Sequence, residues 1–533
     1  MFDYIIVGAG SAGCVLANKL SESGRHKVLL IEEGPGEENW LARMPKGFGK
    51  NLMDPARTHY IPTNRVKPGS NEPEIWVRGK MVGGSSSVNG MVWNPGHKKD
   101  WDRLGELAGS QWSWDEMLPY LRGIEEHSLK DREDVGHTGP IKVKTHPAPN
   151  PLIDAFIEAG KEMGLSAKTH HAQAEQEGIG YLQWNIDKSG KRVSSSRGFL
   201  DSARSRPNLK VESDVRIDRV EIENGRAVAV VGVRGGQPVR FEAQGEIVLS
   251  AGSIGSTKIL QLSGIGPGAV LSAAGVPVVL ENPDIGQHMR EHFLLLQHFR
   301  LRDGKYSQNK SYSGPGMIKA ALRYFLFGTG PMTYGSSEAA AFVRVLEESE
   351  RPDTQLMFAP YSLDLDKQMA FEEEPGVQMF SFPLRPRSEG SINIASADPT
   401  APLSIDPNYQ SDEYDRRANI ASVRYVRELF SQPALQRFVV GETEVTGRAQ
   451  TDDEIIDAYQ RYGQAGYHAI GVCAAGREGT PLDGRLRLRG LANLRVCDCS
   501  VFPEMITGNT NAPTMAMAAR TADLILEDAL APA

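Results

Sequence analysis

Apolar positions come in short unbroken runs near both ends of this chain and in alternating runs between them. Residues 3–7 form a short strand, apolar after Asp3, closed by Gly8-Ala9-Gly10-Ser11-Ala12-Gly13. A helical pattern follows over 14–23, and residues 27–31 form a second apolar run with Glu32 at its carboxyl end. Unbroken runs belong to strands buried on both faces, so this opening predicts a strand–turn–helix–strand unit with a right-handed crossover. Residues 34–75 lose periodicity, are rich in Gly, Pro, Asn and charge, and read as an extended excursion over the surface. Helices are predicted over 99–127 and 150–164. Residues 208–250 alternate as strands do, with turn signals at Glu223-Asn224-Gly225 and Gly235-Gly236. Between 301 and 460 the short runs 340–345, 354–359, 377–383 and 391–396 precede a helix around 413–430, which predicts an antiparallel sheet with helices. Buried-strand and helix signals return at 494–498 and 513–528.

Length and composition narrow this picture. A single core stops growing at roughly 250–300 residues, so 533 residues imply two structural regions. Hydrophobic residues at 40% and charged residues at 24% are ordinary for a globular chain. The formal net charge of −8 offers nothing to a polyanion, so nucleic acid is not an expected partner. Four cysteines cannot staple so long a chain; Cys497 and Cys499 flank Asp498 without a second ligand pair, so a metal is not expected and a reducing compartment is. The first residues enter a strand with no charged and apolar leader, and no apolar run reaches ~18–20 residues, so no membrane span and a cytoplasmic location are expected.

Two glycine-rich stretches carry the chemistry. Gly8, Gly10 and Gly13 fit G-x-G-x-x-G, with Ser11 and Ala12 opening the helix. The first glycine allows the tight turn, the second admits a pyrophosphate to the backbone, and the third lets helix and strand pack closely. Free N–H groups at the helix start favour phosphates, and Glu32, some 20 residues on, can accept the hydroxyl protons of a ribose. The motif alone leaves NAD and FAD open. The second stretch, residues 78–96, follows Gly83-Gly84 with three serines, which can lay successive amides along a polar ligand.

From Gly79 to Asp102 the chain resembles the first signature of the glucose–methanol–choline (GMC) oxidoreductases, through Gly79, Lys80, Val82, Gly83, Gly84, Ser85, Ser86, Val88, Asn89, Trp93, Gly96 and Asp102. Residues 252–266 resemble the second signature, with Thr257 where Pro or Ser is usual, and 494–503 with 508–514 resemble the closing block. The resemblance spans essentially the whole chain. It implies an α/β architecture, α+β overall: a discontinuous Rossmann-like FAD-binding domain over 1–150, 190–300 and 461–533, and an antiparallel-sheet substrate-binding domain with helices over 151–189 and 301–460. It implies FAD, touched also by Gly90, Met91 and Val92 of the second stretch, by Val215 at the adenine, and by Asp498, Asn511 and Thr514. Val88 stands where some members carry the histidine joined to the flavin, so FAD is expected to be non-covalent.

The resemblance also implies His468 and Asn511 as the catalytic pair. Oxidising an alcohol requires removal of the hydroxyl proton while a hydride leaves for flavin N5; a neutral imidazole can take that proton and an amide can orient the hydroxyl. Asn509 is the rival for the amide, since on a strand-like path it would point the same way as Asn511. Tyr467, Phe358 and Tyr361 are candidate pocket residues. No cluster marks a quaternary ammonium site, so a primary alcohol of aliphatic, aryl or polyether type is expected rather than choline, with electrons passing to a quinone, a redox protein or oxygen. Hydroxynitrile lyase-like and flavin photodecarboxylase activities are the alternatives on the same fold. His288 and His292 have the i, i+4 spacing of a metal pair, but their loop resembles a family loop near the domain interface instead.

Overall fold

The computed structural model describes every residue except 148, 172–174, 365–366, 368–369 and 531–533. Seven strands, β1 (Phe2–Val7), β2 (Val28–Ile31), β3 (Leu209–Glu212), β4 (Val215–Glu223), β5 (Arg226–Arg234), β6 (Gln237–Leu249) and β7 (Leu494–Val496), form one sheet. Their order is β4–β5–β6–β1–β2–β3, with β7 also on β6. The contacts β7–β6, β6–β1, β1–β2 and β2–β3 are parallel, whereas β4, β5 and the first half of β6 are an antiparallel meander. The sequence of β6 explains its double membership. Its first part alternates and is half exposed, while Ile247, Val248 and Leu249 at its end are fully buried between β1 and β7.

Four long helices, α1 (Ser11–Ser21), α2 (Gly252–Leu262), α3 (Gly314–Phe327) and α4 (Asn511–Leu530), and the short helices Trp40–Arg43 and Phe48–Asn51 contribute residues to the wall of the main cavity. α1 and α4 pack on each other and are apolar over most of their circumference, as helices enclosed in a core must be. No helix among the described residues is long and apolar enough to cross a membrane.

A second sheet runs Val439–Glu442, Phe293–Leu301, Gly376–Pro383, Thr354–Ala359, Ala339–Val343, Gly178–Tyr181, antiparallel throughout. One face packs on the helices Pro151–Glu162 and Glu413–Ser431, with Phe299 stacked on Phe430 at 3.6 Å and Phe358 on Phe156 at 4.9 Å. The other face presents Leu294, Leu296, Met357 and Phe382 toward Met91 and Val92 of the glycine-rich stretch. The sheet is therefore buried on both faces, and its central strands carry buried polar residues such as Gln297, Gln355 and Gln378 among the apolar ones.

Several expectations are corrected. The 34–75 excursion leads into a hairpin, Thr58–Val66 with Pro73–Gly79, anchored by the fully buried Trp76; polar Thr58, Thr63 and Glu74 are buried while Tyr60 and Val66 are exposed, which hides the alternation. The helix expected over 99–127 is two, Lys98–Ala108 and Trp114–Gly123, parted at Gly109, whose φ of +115° suits glycine. The run at 391–396 pairs with Leu403–Asp406 outside the large sheet. Phe293–Leu301 and Gln464–Ala465, placed with the first region by sequence, belong to the second sheet.

Candidate active site

One cavity of about 1510 Å³ runs from the start of α1, past α2 and α4, to the inner face of the second sheet. That exceeds the roughly 300–1,000 Å³ of a site for one small molecule, and suits a dinucleotide with a substrate beyond it. Of the residues assigned to the cofactor from sequence, all but Gly13, Val82 and Gly83 border this cavity. Those three shape its wall from behind. A Cβ at Gly13 would sit 1.9 Å from the Gly8 carbonyl oxygen, Val82 is buried in the core, and the Gly83 N–H donates to the Ala9 carbonyl at 2.7 Å. Gly10, by contrast, has no neighbour closer than 3.9 Å around its absent Cβ, which leaves the wall open to a ligand.

Glu32 is buried; its two oxygens accept from the N–H groups of Ala9 at 3.0 Å and Gly34 at 2.9 Å. Burial raises its pKa against those two bonds. Each carboxylate oxygen keeps a lone pair for a hydroxyl donor in the cavity. Asp498 accepts from Gly252 N–H at 2.9 Å, Ser256 Oγ at 2.6 Å and Ser500 N–H at 2.9 Å, and so pins the start of α2 to the end of β7. Val215 donates its N–H to the Glu32 carbonyl at 3.0 Å, which brings β4 beside the ribose carboxylate.

The glycine-rich stretch is held by a residue the sequence did not single out. Arg192, fully buried, donates to the carbonyls of Ala42 (2.9 Å), Ser86 (3.1 Å) and Asn89 (2.8 Å) and to Asn89 Oδ1 (2.7 Å). Burial lowers its pKa to about 9. Nothing local in the sequence distinguishes this arginine from its exposed counterparts.

At the far end of the cavity His468 stands between two partners. Its Nε2 is 3.3 Å from Asn509 Nδ2, and its Nδ1 is 2.9 Å from His292 Nδ1. His292 Nε2 lies 3.0 Å from the Leu384 carbonyl oxygen. A carbonyl only accepts, so His292 carries its proton on Nε2 and its Nδ1 must accept. His468 therefore donates from Nδ1 and keeps an unprotonated Nε2, the acceptor of the Asn509 Nδ2 hydrogen bond, at the cavity. Burial lowers His292 to about 4 and holds His468 well below the ordinary imidazole value, with His292 and then Arg78 adding to the effect. Both rings are neutral near pH 7.

Glu291 lies behind this pair. Its Oε1 accepts from the backbone N–H groups of His468 at 2.6 Å and His292 at 2.9 Å, and Arg78 sits 3.7 Å from Oε2. Burial pushes its pKa up to about 7, with Arg78 and the two N–H groups opposing.

Two sequence assignments move. Asn511 is the first residue of α4 and its Oδ1 accepts from Ser11 Oγ at 2.7 Å; Asn509, in the preceding loop, is the amide at His468. The chain turns into a helix between them, so the two side chains do not share a direction. Phe358 is fully buried in the helix-facing core and does not reach the cavity; Met357, one residue earlier on the strand, does. His288 and His292 part company, His288 going to Glu389 at 2.7 Å on the surface. Tyr361 borders the cavity and donates to the Ser336 carbonyl at 2.6 Å, and Tyr467, 42% exposed, stands at the rim over Arg78.

Residues 2–294 and 386–518 match the two family models described as GMC oxidoreductase. The chain belongs to the GMC oxidoreductase family. Relatives include the oxygen-dependent choline dehydrogenase of Vibrio vulnificus (strain YJ016), 36% identical over 98% of this chain and 94% of that one. Another is the alcohol dehydrogenase [acceptor] of Pseudomonas putida, 33% identical over 99% and 96%. Among solved structures, pyridoxine 4-oxidase from Mesorbium loti superposes with a TM-score of 0.87 at 28% identity, over 98% of each chain. A mutant formate oxidase of Aspergillus oryzae RIB40, made to follow the effect of the mutation on FAD modification, superposes at 0.91 with 25% identity, over 99% and 98%. FAD is the cofactor of this GMC fold, and the residues present fit it. Ser250 Oγ, Asn509 Oδ1 and Asn511 Nδ2 are buried at the cavity wall without a protein partner among the described residues, as groups reserved for a ligand are.

Proposed function

We propose that this GMC oxidoreductase oxidises an uncharged, mainly apolar primary alcohol, with His468 Nε2 as the base that takes the hydroxyl proton. The tautomer carries the reading: the Leu384 carbonyl fixes His292, and His292 fixes His468, so that a lone pair rather than an N–H faces the cavity. Bound FAD, held without a covalent link beside Val88, supplies the hydride acceptor. Asn509, rather than Asn511, orients the hydroxyl, and its Nδ2 donors steady the oxygen as negative charge grows on it. Asn511 instead joins α1 to α4 through Ser11 and serves the cofactor.

The substrate wall supports an apolar alcohol. Leu294, Met357, Phe380 and Phe382 border the cavity beside His468. Among the charged residues bordering the cavity is Lys46, which donates to the Gly335 carbonyl at 2.7 Å and lies 4.5 Å from the ring of Tyr361 and 5.0 Å from that of Tyr312. A quaternary ammonium would meet a like charge there. Electrons leave to a quinone-like acceptor or to oxygen. Anaerobic mixing with aliphatic and aryl primary alcohols, and with choline, tests this reading: the neutral alcohols bleach the flavin and choline does not. Bleaching by choline at a comparable rate would overturn the substrate class.

A further inference from the structure

Among the described residues α3 is exposed over most of its circumference. Met317, Ile318, Leu322, Phe325, Leu326 and Phe327 are 37–72% exposed, while Ala320 and Tyr324 hold the helix to the body. Scattered exposed apolar residues are normal, but six on one helix are a patch. Trp40 and Met53, 59% and 61% exposed, extend it, with the Trp40 ring 5.9 Å from Phe325. Four of the helix residues, together with Trp40 and Met53, also border the cavity, so the patch surrounds its mouth.

The charge carried by these two segments is one-sided. No acidic residue occurs between Asp303 and Glu338, a stretch carrying Lys305, Lys310, Lys319 and Arg323. None occurs over residues 39–53, which carry Arg43, Lys46 and Lys50. Among the described residues Arg43, Lys50, Lys310, Lys319 and Arg323 are exposed and form no ion pair. The chain as a whole is −8, so this face opposes the sign of the molecule.

We infer that α3 and the neighbouring Trp40–Met53 segment seat the protein on an anionic lipid bilayer, with the cavity mouth turned toward the acyl chains. A helix of 14 residues is about 21 Å long, too short to span a bilayer but suited to lie in its surface, apolar side down and cations at the headgroups. A second copy is the poorer occupant, since a two-fold interface would set one cationic patch against its twin. Membrane seating does not depend on which alcohol is oxidised.

The test is flotation of the full FAD-loaded protein with phosphatidylcholine vesicles and with vesicles holding phosphatidylglycerol at about 30 mol%. The protein is expected to float with the anionic vesicles, and less as salt rises. Near an anionic surface each cation is worth roughly fivefold in binding, so Lys319→Glu with Arg323→Glu should weaken it at least about tenfold. Leu326→Ser with Phe327→Ser should weaken it similarly, while flavin content and bleaching by a dissolved alcohol show that both variants fold. Failure of the wild type to float, or equal flotation of the variants, overturns the inference. So does a dimer in light scattering that Leu326→Ser with Phe327→Ser dissociates, which would give the face to a second copy.

Discussion

His292 touches neither cofactor nor substrate in this account, yet it sets which nitrogen of His468 can act. Replacing it by leucine removes the acceptor 2.9 Å from His468 Nδ1 and leaves a buried N–H unpaired. An unsatisfied buried donor costs roughly 1–3 kcal/mol, or about 5- to 150-fold in the population of the competent tautomer. The limiting rate of anaerobic flavin reduction should fall by that factor, with KM changed much less. The acid limb should move as well. His292 is one of the groups holding His468 below its ordinary pKa, and the neutral ring is the active form, so its removal shifts the loss of activity to higher pH. His292→Gln retains an acceptor and should recover most of the rate. General damage would lower thermal stability and FAD content in both variants alike. A leucine variant with the wild-type reduction rate and an unmoved acid limb would refute the tautomer argument.

Other outcomes follow from the same geometry. Asn509→Ala should slow flavin reduction by ~10²–10³-fold at near-normal FAD affinity, whereas Asn511→Ala, which frees Ser11, should loosen FAD and affect the chemical step less; fluorescence titration of released flavin separates the two. In the wild type, kcat/KM for a neutral alcohol should stay level as pH falls through 6.5 and decline only well below it, because burial lowers the pKa of the base; a pH series checks this. Phe358→Ala should cost about 3–5 kcal/mol of stability in denaturant melts without changing the order of preferred alcohols, while Met357→Ala should change that order. Arg192→Leu should lower FAD retention, seen as a reduced flavin-to-protein ratio after gel filtration, since four acceptors from Ala42, Ser86 and Asn89 lose their donor.

What was legible in the sequence was local. The strand, turn and helix around Gly8–Gly13 and the place of Glu32 follow from neighbours along the chain, and the structure sets them around one cavity. The double burial of the parallel strands shows as unbroken apolar runs. Illegible features depended on the chain's path in space. Phe358 and Met357 are both large and apolar, and only the pairing register sends one to the core and the other to the cavity. Asn509 and Asn511 look equivalent until a helix starts between them. His292 and Glu291 gain their roles from His468, some 176 residues later in the chain, and Arg192 from carbonyls more than a hundred residues earlier. The mismatched boundary at Phe293–Leu301 has the same origin: a strand buried on both faces shows no alternation and reads alike in a parallel sheet and in a doubly covered antiparallel one.

The most direct measurement is anaerobic stopped-flow reduction of the FAD-loaded protein by an apolar primary alcohol, with His468→Ala alongside. The account predicts that the alcohol bleaches the wild-type flavin and that the variant, with FAD still bound, is slower by ~10²-fold or more. Bleaching at the wild-type rate in His468→Ala, or no bleaching by any alcohol of the panel in a protein shown to hold FAD, would contradict it.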